Sequence, residues 1–182
     1  MNHLSGWTAA LPALAAILVV AGGAKVARPA DLARALRQSG VPVGTTLVRI
    51  GSLAEVAVGS AVLVTGGRIG TAALAASYLG FAGFVAVALR RGTPLANCGC
   101  FGEPDTPPTV AHAAVCGGGG AIAVLAAWLS PPPGFGTTLG ALGLPGAVGF
   151  CALTITAAGA LYLVMTSAPG LVVARRSLRG EA

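Results

Sequence analysis

The fold is decided by residues 69–89, IGTAALAASYLGFAGFVAVAL, a stretch that contains no charged residue. A helix that crosses a membrane needs about 20 consecutive and mostly apolar residues, and this stretch has that length. The turn sequence TGGR at 65–68 precedes it, and Arg90 and Arg91 follow it directly. The stretch therefore predicts a transmembrane helix that begins after a tight turn and ends at two basic residues.

The rest of the chain has the same character. Of its 182 residues, 55% are hydrophobic and only 9% are charged, whereas soluble domains have about 25% charged residues. No charged residue occurs between Asp105 and Arg175, which leaves room for two or three more crossings. We therefore predict an integral membrane protein that forms a single membrane domain over residues 1–182.

The apolar runs divide this domain into five predicted spans, at residues 7–24, 46–64, 69–89, 109–129 and 142–166. Because the first run lacks the basic leader and the cleavage site of a signal peptide, we predict that it is kept as a helix. Residues 29–39 form an amphipathic segment that we expect at the membrane surface, with Leu32 and Leu36 on its apolar face. The predicted fold is an all-α bundle of four to five transmembrane helices.

The chain has a net charge of +6, but its basic residues are not interleaved with aromatic ones. We therefore expect contact with membrane lipid rather than with nucleic acid. With five spans, ten of the eleven basic residues fall on one side of the membrane: Lys25, Arg28, Arg34, Arg37, Arg49, Arg90, Arg91, Arg175, Arg176 and Arg179. Only Arg68 falls on the other. This asymmetry predicts a multi-pass protein of the cell (plasma) membrane, with a cytoplasmic C-terminal tail.

The loop at 92–108 carries the sequence NCGCFG at 97–102, in which one glycine separates Cys98 from Cys100. Two cysteines at this spacing are close enough for a disulfide, and Gly99 permits the backbone conformation that so small a ring requires. A strained and accessible disulfide is the kind that exchanges with other thiols. We interpret Cys98 and Cys100 as a redox pair. The alternatives are metal binding and two incidental cysteines in a glycine-rich turn.

His112 and Cys116 are four residues apart and share one face of the fourth predicted span. In one interpretation, Cys116 is a resolving thiol and His112 a proton acceptor beside it. In another, both join Cys98 and Cys100 in a metal site, since thiolate and imidazole bind zinc or copper. In the third, which we favour, Cys116 is a small buried residue. We predict the same packing role for Cys151.

Glu55 is the only acidic residue inside a predicted span. A carboxylate is costly in hydrocarbon, so it should face the interior of the bundle. Its functional interpretation is a polar-core group or proton relay that contacts a quinone-like ligand. Its structural interpretation is a hydrogen bond to Ser, Thr or Lys25 on a neighbouring helix. Because Gly51 and Gly59 share the face of Glu55, we expect another helix to approach closely there. The glycines at 117–120 predict either a kink or a close-packing face.

Three segments, GGAK (22–25), LAEVAVG (53–59) and CGCFG (98–102), resemble the MauE family of methylamine utilisation membrane proteins. That family lies within the wider group of MauE/DoxX-like redox-associated membrane proteins. The likeness covers about residues 8–130, and CGCFG is its most specific element. The resemblance implies a helical bundle like that of vitamin K epoxide reductase. It also implies a redox role for Cys98 and Cys100 and a polar-core role for Glu55.

The same resemblance implies two partners, a thioredoxin-like protein and a disulfide-containing client. In the methylamine system that client is the beta subunit of methylamine dehydrogenase. The resemblance implies that the thiols lie on the oxidising, extracytosolic side of the membrane, where structural disulfides persist. The charge count instead places Cys98 and Cys100 at the cytoplasmic edge. On that topology, a cytosolic donor would keep the pair reduced.

The leading hypothesis is a membrane thiol–disulfide oxidoreductase or maturation factor. Quinone is a candidate electron acceptor, and the sequence identifies no bound cofactor. The first alternative is a non-enzymatic membrane scaffold or metal-binding assembly factor. The second is a small-solute transporter, which Glu55 motivates and which the lack of paired broken helices disfavours.

Overall fold

The computed structural model describes residues 7–38, 40–91 and 109–178. Within these ranges it contains six helices: α1 (Trp7–Ala27), α2 (Pro29–Gln38), α3 (Thr45–Val64), α4 (Gly67–Arg91), α5 (Val110–Leu129) and α6 (Phe135–Leu178). All except α2 are long and apolar enough to cross a membrane. The described residues include no strand, so the predicted all-α membrane bundle is confirmed.

Glycines at one end of the bundle tie two connections together. The turn between α3 and α4 contains Gly66 and Gly67, whose φ angles of 63° and 82° favour glycine. The backbone N–H of Gly67 donates to the Pro132 carbonyl at 2.8 Å, which joins this turn to the α5–α6 connection. A Cβ on Gly134 would lie 2.2 Å from the Val64 oxygen, so only glycine fits. We call this end of the bundle, with residues 65–67 and 130–134, the turn end.

Small residues set the spacing between α1 and α3. A Cβ on Gly59 would lie 2.7 Å from the Ala15 oxygen, and one on Gly22 would lie 2.9 Å from the Ser52 oxygen. The predicted close approach is therefore confirmed at Gly59. It is wrong at Gly51, which is exposed and has no neighbour within 4 Å of a Cβ. The reason is the helical period, since residues eight apart are rotated by about 80° from one another.

The glycine run at 117–120 forms a packing surface and does not break α5, which continues from Val110 to Leu129. A Cβ on Gly119 would lie 2.9 Å from Leu14, and one on Gly120 would lie 2.7 Å from Leu79. The run therefore lets α5 approach α1 and α4 closely. Of the two predicted roles, close packing is the one observed.

Helix α6 consists of two segments. Gly143, with a φ of 65°, interrupts it next to the predicted start of the fifth span at 142, and the second segment continues to Leu178, beyond the predicted end at 166. The segment before Gly143 begins at Phe135 in a stretch predicted to be loop, where the N–H and the Oγ1 of Thr138 both donate to the Gly134 carbonyl. Helix α2 buries Ala33 and Ala35, and Ala35 packs with Ala88 of α4.

The remaining end of the bundle holds the ends of α1 and α4 and the beginnings of α3 and α5. We call it the cysteine-loop end, because Arg91 and Thr109 lie there and the chain between them carries the Cys-x-Cys sequence. Adjacent helices alternate in direction, so the two ends are separated by the length of a membrane-spanning helix. The apolar core, which includes Leu11, Leu18 and Leu74, lies between them.

Candidate functional site

The predicted redox pair, Cys98 and Cys100, lies outside the described residues. The helices that flank it are described, and they place its attachment points at the cysteine-loop end. Arg91 ends α4 and Thr109 precedes α5, and these two helices pack closely side by side. The polar side chains nearest this end of the bundle therefore form the candidate site.

A buried ion pair between Lys25 of α1 and Glu55 of α3 forms the centre of the site. Lys25 Nζ contacts Glu55 Oε2, and the two side chains are only 3% and 15% exposed. A buried charge is stable only when it is paired. Each of these two residues therefore offsets the cost of burying the other inside an apolar bundle.

Local sequence explains why the pair forms. Lys25 lies in the last turn of α1, and Gly22, one turn earlier, lets α3 approach to contact distance. The ring of Phe81, on α4, lies 4.5 Å from Lys25 Nζ. An aromatic face attracts a cation, and the attraction is stronger where water is excluded. The ammonium is thus held by a carboxylate from α3 and a ring from α4.

Tyr78 adds a second polar group to the same region of α4. Its hydroxyl donates a hydrogen bond of 2.8 Å to the Leu14 carbonyl of α1, and the side chain is buried. Its ring packs edge-on against Phe81, with the centroids 6.4 Å apart. A buried tyrosine normally finds a partner for its hydroxyl, and here the partner is the backbone of another helix.

A cavity of about 30 Å³ lies among these groups. Its lining includes the ammonium-bearing Lys25, the phenol Tyr78, the thiol Cys116 and the thioether Met165. The space is about as large as one water molecule, and most of its lining surface is apolar. The cavity brings together side chains from α1, α4, α5 and α6, which are distant in the sequence.

His112 connects the start of α5 to α6. Its Nδ1 accepts a hydrogen bond of 3.3 Å from the backbone N–H of Thr109 and lies 2.9 Å from Thr109 Oγ1. Because Nδ1 accepts, the neutral ring carries its proton on Nε2. The ring also makes a hydrogen bond with the backbone of Met165. His112 thereby caps α5 and ties its first turn to α6.

Of the predicted site residues, the structure describes Glu55, His112 and Cys116. Glu55 pairs with Lys25, which is one of the structural partners expected for it. Cys116 is buried and lines the cavity beside Lys25, and His112 lies one turn away on the same face. Cys151 lies in the middle of α6 and is half-buried.

In the described ranges, no three His, Cys, Asp or Glu side chains cluster as metal ligands would. Two members of the predicted metal set, Cys98 and Cys100, fall outside those ranges.

Tyr78, Phe81 and Met165 are parts of the site that the sequence did not indicate. Lys25 was expected only as one of several possible partners of Glu55. A signal was present, since Lys25 is the only lysine in the chain and Glu55 is the only acidic residue inside a span. Opposite charges that are each isolated in apolar helices are expected to pair. The aromatic residues gave no such signal, because their contribution depends on which helices are neighbours.

Comparison with known protein families matches residues 3–131 to the family described as methylamine utilisation protein MauE. The matched region contains α1 to α5, the Lys25–Glu55 pair, Cys116 and the Cys-x-Cys sequence. It stops before α6, which contributes Met165 to the cavity. Comparisons with curated proteins and with solved structures gave no match. Since the match covers most of the chain and the structure has five apolar helices, this protein belongs to the MauE family of multi-pass membrane proteins.

Proposed function

We propose that this protein is a membrane thiol–disulfide exchange factor that acts through Cys98 and Cys100. The observation that carries the proposal is the position of the buried polar cluster. The thiol of Cys116 and Lys25, which pairs with Glu55, line one cavity in the half of the bundle to which the Cys-x-Cys segment is attached. Membership of the MauE family supports the same function.

On the cytoplasmic topology that the basic residues indicate, the pair acts in its reduced form. A thiolate of Cys98 or Cys100 attacks a disulfide of the client and forms a mixed disulfide, and the second thiol of the pair then displaces the client's sulfur. The client's disulfide becomes two thiols, and Cys98 and Cys100 become a disulfide. A thioredoxin-like protein in its dithiol form reduces the pair again by the same exchange.

The polar cluster has a structural part in this scheme. The pair between Lys25 and Glu55 holds α1 against α3, and the cap formed by His112 and Thr109 defines where α5 begins. Both contacts stiffen the framework to which the Cys-x-Cys segment is anchored. The client is proposed to be a disulfide-containing subunit of the kind represented by the beta subunit of methylamine dehydrogenase.

The first experiment traps the mixed disulfide. Cells that produce Cys98→Ser or Cys100→Ser protein are acid-quenched, alkylated with N-ethylmaleimide and analysed on non-reducing gels. One of the two variants is expected to give an adduct that dithiothreitol removes, while Cys151→Ser alone gives none. If neither variant forms an adduct, and both thiols of the unmodified chain stay free in oxidising buffer, the proposal is wrong.

The second experiment determines the side of the membrane. We propose, from the distribution of basic residues, a plasma-membrane protein whose Cys-x-Cys segment and C-terminal tail face the cytoplasm. A variant that keeps only Cys98 and Cys100 is treated, in intact cells, with a membrane-impermeant maleimide. Protection in intact cells and labelling after permeabilisation are expected. Labelling in intact cells would place the pair outside and reverse the assigned topology.

A further inference from the structure

The turn end of the bundle carries one positive charge and no negative charge. Arg68, at the start of α4, is the basic residue of this end. No Asp or Glu occurs between Glu55 and Glu103 or between Asp105 and Glu181, so neither connection at this end contains one. Among the described residues Arg68 has no carboxylate partner, since the ion pairs there involve Lys25 and Arg34. A counter-ion for Arg68 must come from outside the chain.

The guanidinium of Arg68 is held in place. Its Nε–H donates to the Ala127 carbonyl of α5 at 3.0 Å, across the α4–α5 interface. The side chain is otherwise exposed. This single bond uses one of five guanidinium N–H groups, and the four on the terminal nitrogens suit the oxygens of a phosphate. An arginine fixed in this way loses little conformational freedom when it binds an anion.

An apolar groove of about 490 Å³ leads away from Arg68 along α4 and α5. Ala72, Ala76 and Leu79 line its α4 side, and Val124 and Trp128 line its α5 side. Trp128 is 79% exposed and lies in the last turn of α5. Tryptophan prefers the membrane–water interface, where its ring meets both headgroups and acyl chains. A fixed cation thus lies at the polar end of a groove with apolar walls.

We propose that this groove binds one anionic phospholipid, with its phosphate on Arg68 and an acyl chain along α4 and α5. Charge complementarity identifies the occupant, because the groove is apolar along its length and has a cation only at its end. A zwitterionic phospholipid also has a phosphate, but its own ammonium offsets that charge, so its attraction to Arg68 is weaker. The site is at the end of the bundle opposite the Cys-x-Cys attachment points, so it is separate from the proposed thiol chemistry.

Brominated lipids and the fluorescence of Trp128 test this directly. The full chain carrying Trp7→Phe, which leaves Trp128 as the only tryptophan, is reconstituted in vesicles of unbrominated phosphatidylcholine. Small amounts of acyl-brominated phosphatidylglycerol or brominated phosphatidylcholine are then added. Brominated phosphatidylglycerol is expected to quench Trp128 about five times more effectively, a ratio typical of one basic residue near an anionic headgroup.

Substitutions at Arg68 test whether its charge, rather than the fold of the chain, causes the lipid preference. Arg68→Gln is expected to abolish the preference for the anionic lipid, and Arg68→Lys, which keeps the charge, is expected to retain most of it. Arg49→Gln, which removes an exposed arginine at the other end of the bundle, is the matched control and should leave it unchanged. In the chain that keeps Arg68, raising the salt from 0.1 to 1 M should also weaken the preference.

Equal quenching by both lipids would overturn the proposal, as would a preference that survives Arg68→Gln. Protection of Trp128 from both lipids would show that another protein surface covers the groove, and would overturn it as well. If Arg68→Gln fails to fold, the lipid comparison and the salt dependence in the chain that keeps Arg68 still decide between these outcomes.

Discussion

Lys25 Nζ and Glu55 Oε2 form an ion pair in the interior of the bundle, between the last turn of α1 and the middle of α3. The pair links two helices that α2 separates in the sequence. Lys25 also lines a cavity together with Cys116 and Tyr78. The pair therefore connects the packing of α1 and α3 to this cavity.

The first prediction concerns the energy of this pair. Glu55→Gln leaves a buried ammonium without its carboxylate, and we expect it to lower the free energy of unfolding by about 3–5 kcal/mol. Lys25→Met should cost a similar amount. The double variant should be closer to the unmodified chain than either single variant, because no unpaired charge remains. Denaturant titration in detergent measures all four proteins, and simple additivity of the two losses would contradict the prediction.

The second prediction compares two glycines on α3. Gly59→Ala places a Cβ 2.7 Å from the Ala15 oxygen, so α1 and α3 must separate, at a cost of about 1–3 kcal/mol. Gly51→Ala has open space and should be neutral, or stabilising by up to about 1 kcal/mol. Thermal unfolding in detergent ranks the variants. Equal effects at the two positions would show that helix propensity, rather than contact with α1, dominates.

The third prediction concerns the start of α5. Thr109→Ala removes the hydroxyl that lies 2.9 Å from His112 Nδ1, and loss of such a cap costs about 1 kcal/mol. We expect faster hydrogen exchange of the first amides of α5, with little change at its end. Thr65→Val, which removes a threonine hydroxyl bond at the turn end, is the control. Unchanged exchange at 110–113 would mean that the cap does not hold the helix start.

The fourth prediction concerns the two described thiols. Cys116 is only 3% exposed and lies in the core, whereas Cys151 is half-buried in α6. In single-cysteine variants, N-ethylmaleimide should modify Cys116 at least about tenfold more slowly than Cys151 in mild detergent, because reaction at Cys116 requires local opening. Both thiols should react alike in denaturing detergent. Fast modification of Cys116 in the folded protein would show that the cavity opens to solvent.

Much of this architecture could be read from the sequence, because a membrane imposes a simple rule on it. Each apolar run must be about as long as the bilayer is thick, and backbone groups inside it must bond within the helix. The turn at 65–68 and the end of α4 at Arg91 follow from glycine and charge alone. The short helical segment of α6 before Gly143 could not be read in this way, since it depends on bonds from Thr138 to the Gly134 carbonyl.

The candidate site could be predicted only in part. An acidic residue in an apolar helix indicates a buried polar contact whatever the fold, so Glu55 was identifiable from its position. That its partner is Lys25 depends on Gly22, which allows α1 and α3 to approach closely. The sequence placed His112 and Cys116 on one face of α5. Only tertiary packing decided that this face meets Lys25, Tyr78 and Met165 around a cavity.

By itself, the sequence determined that the chain forms membrane-spanning helices, because only 9% of its residues are charged and its apolar runs have the length of a spanning helix. It also determined where the charges lie along the chain. The tertiary structure alone decided which charge pairs with which, and which glycines are contacts. Hydrophobicity acts on each segment separately, whereas pairing and packing depend on the neighbours that a segment acquires when the bundle forms.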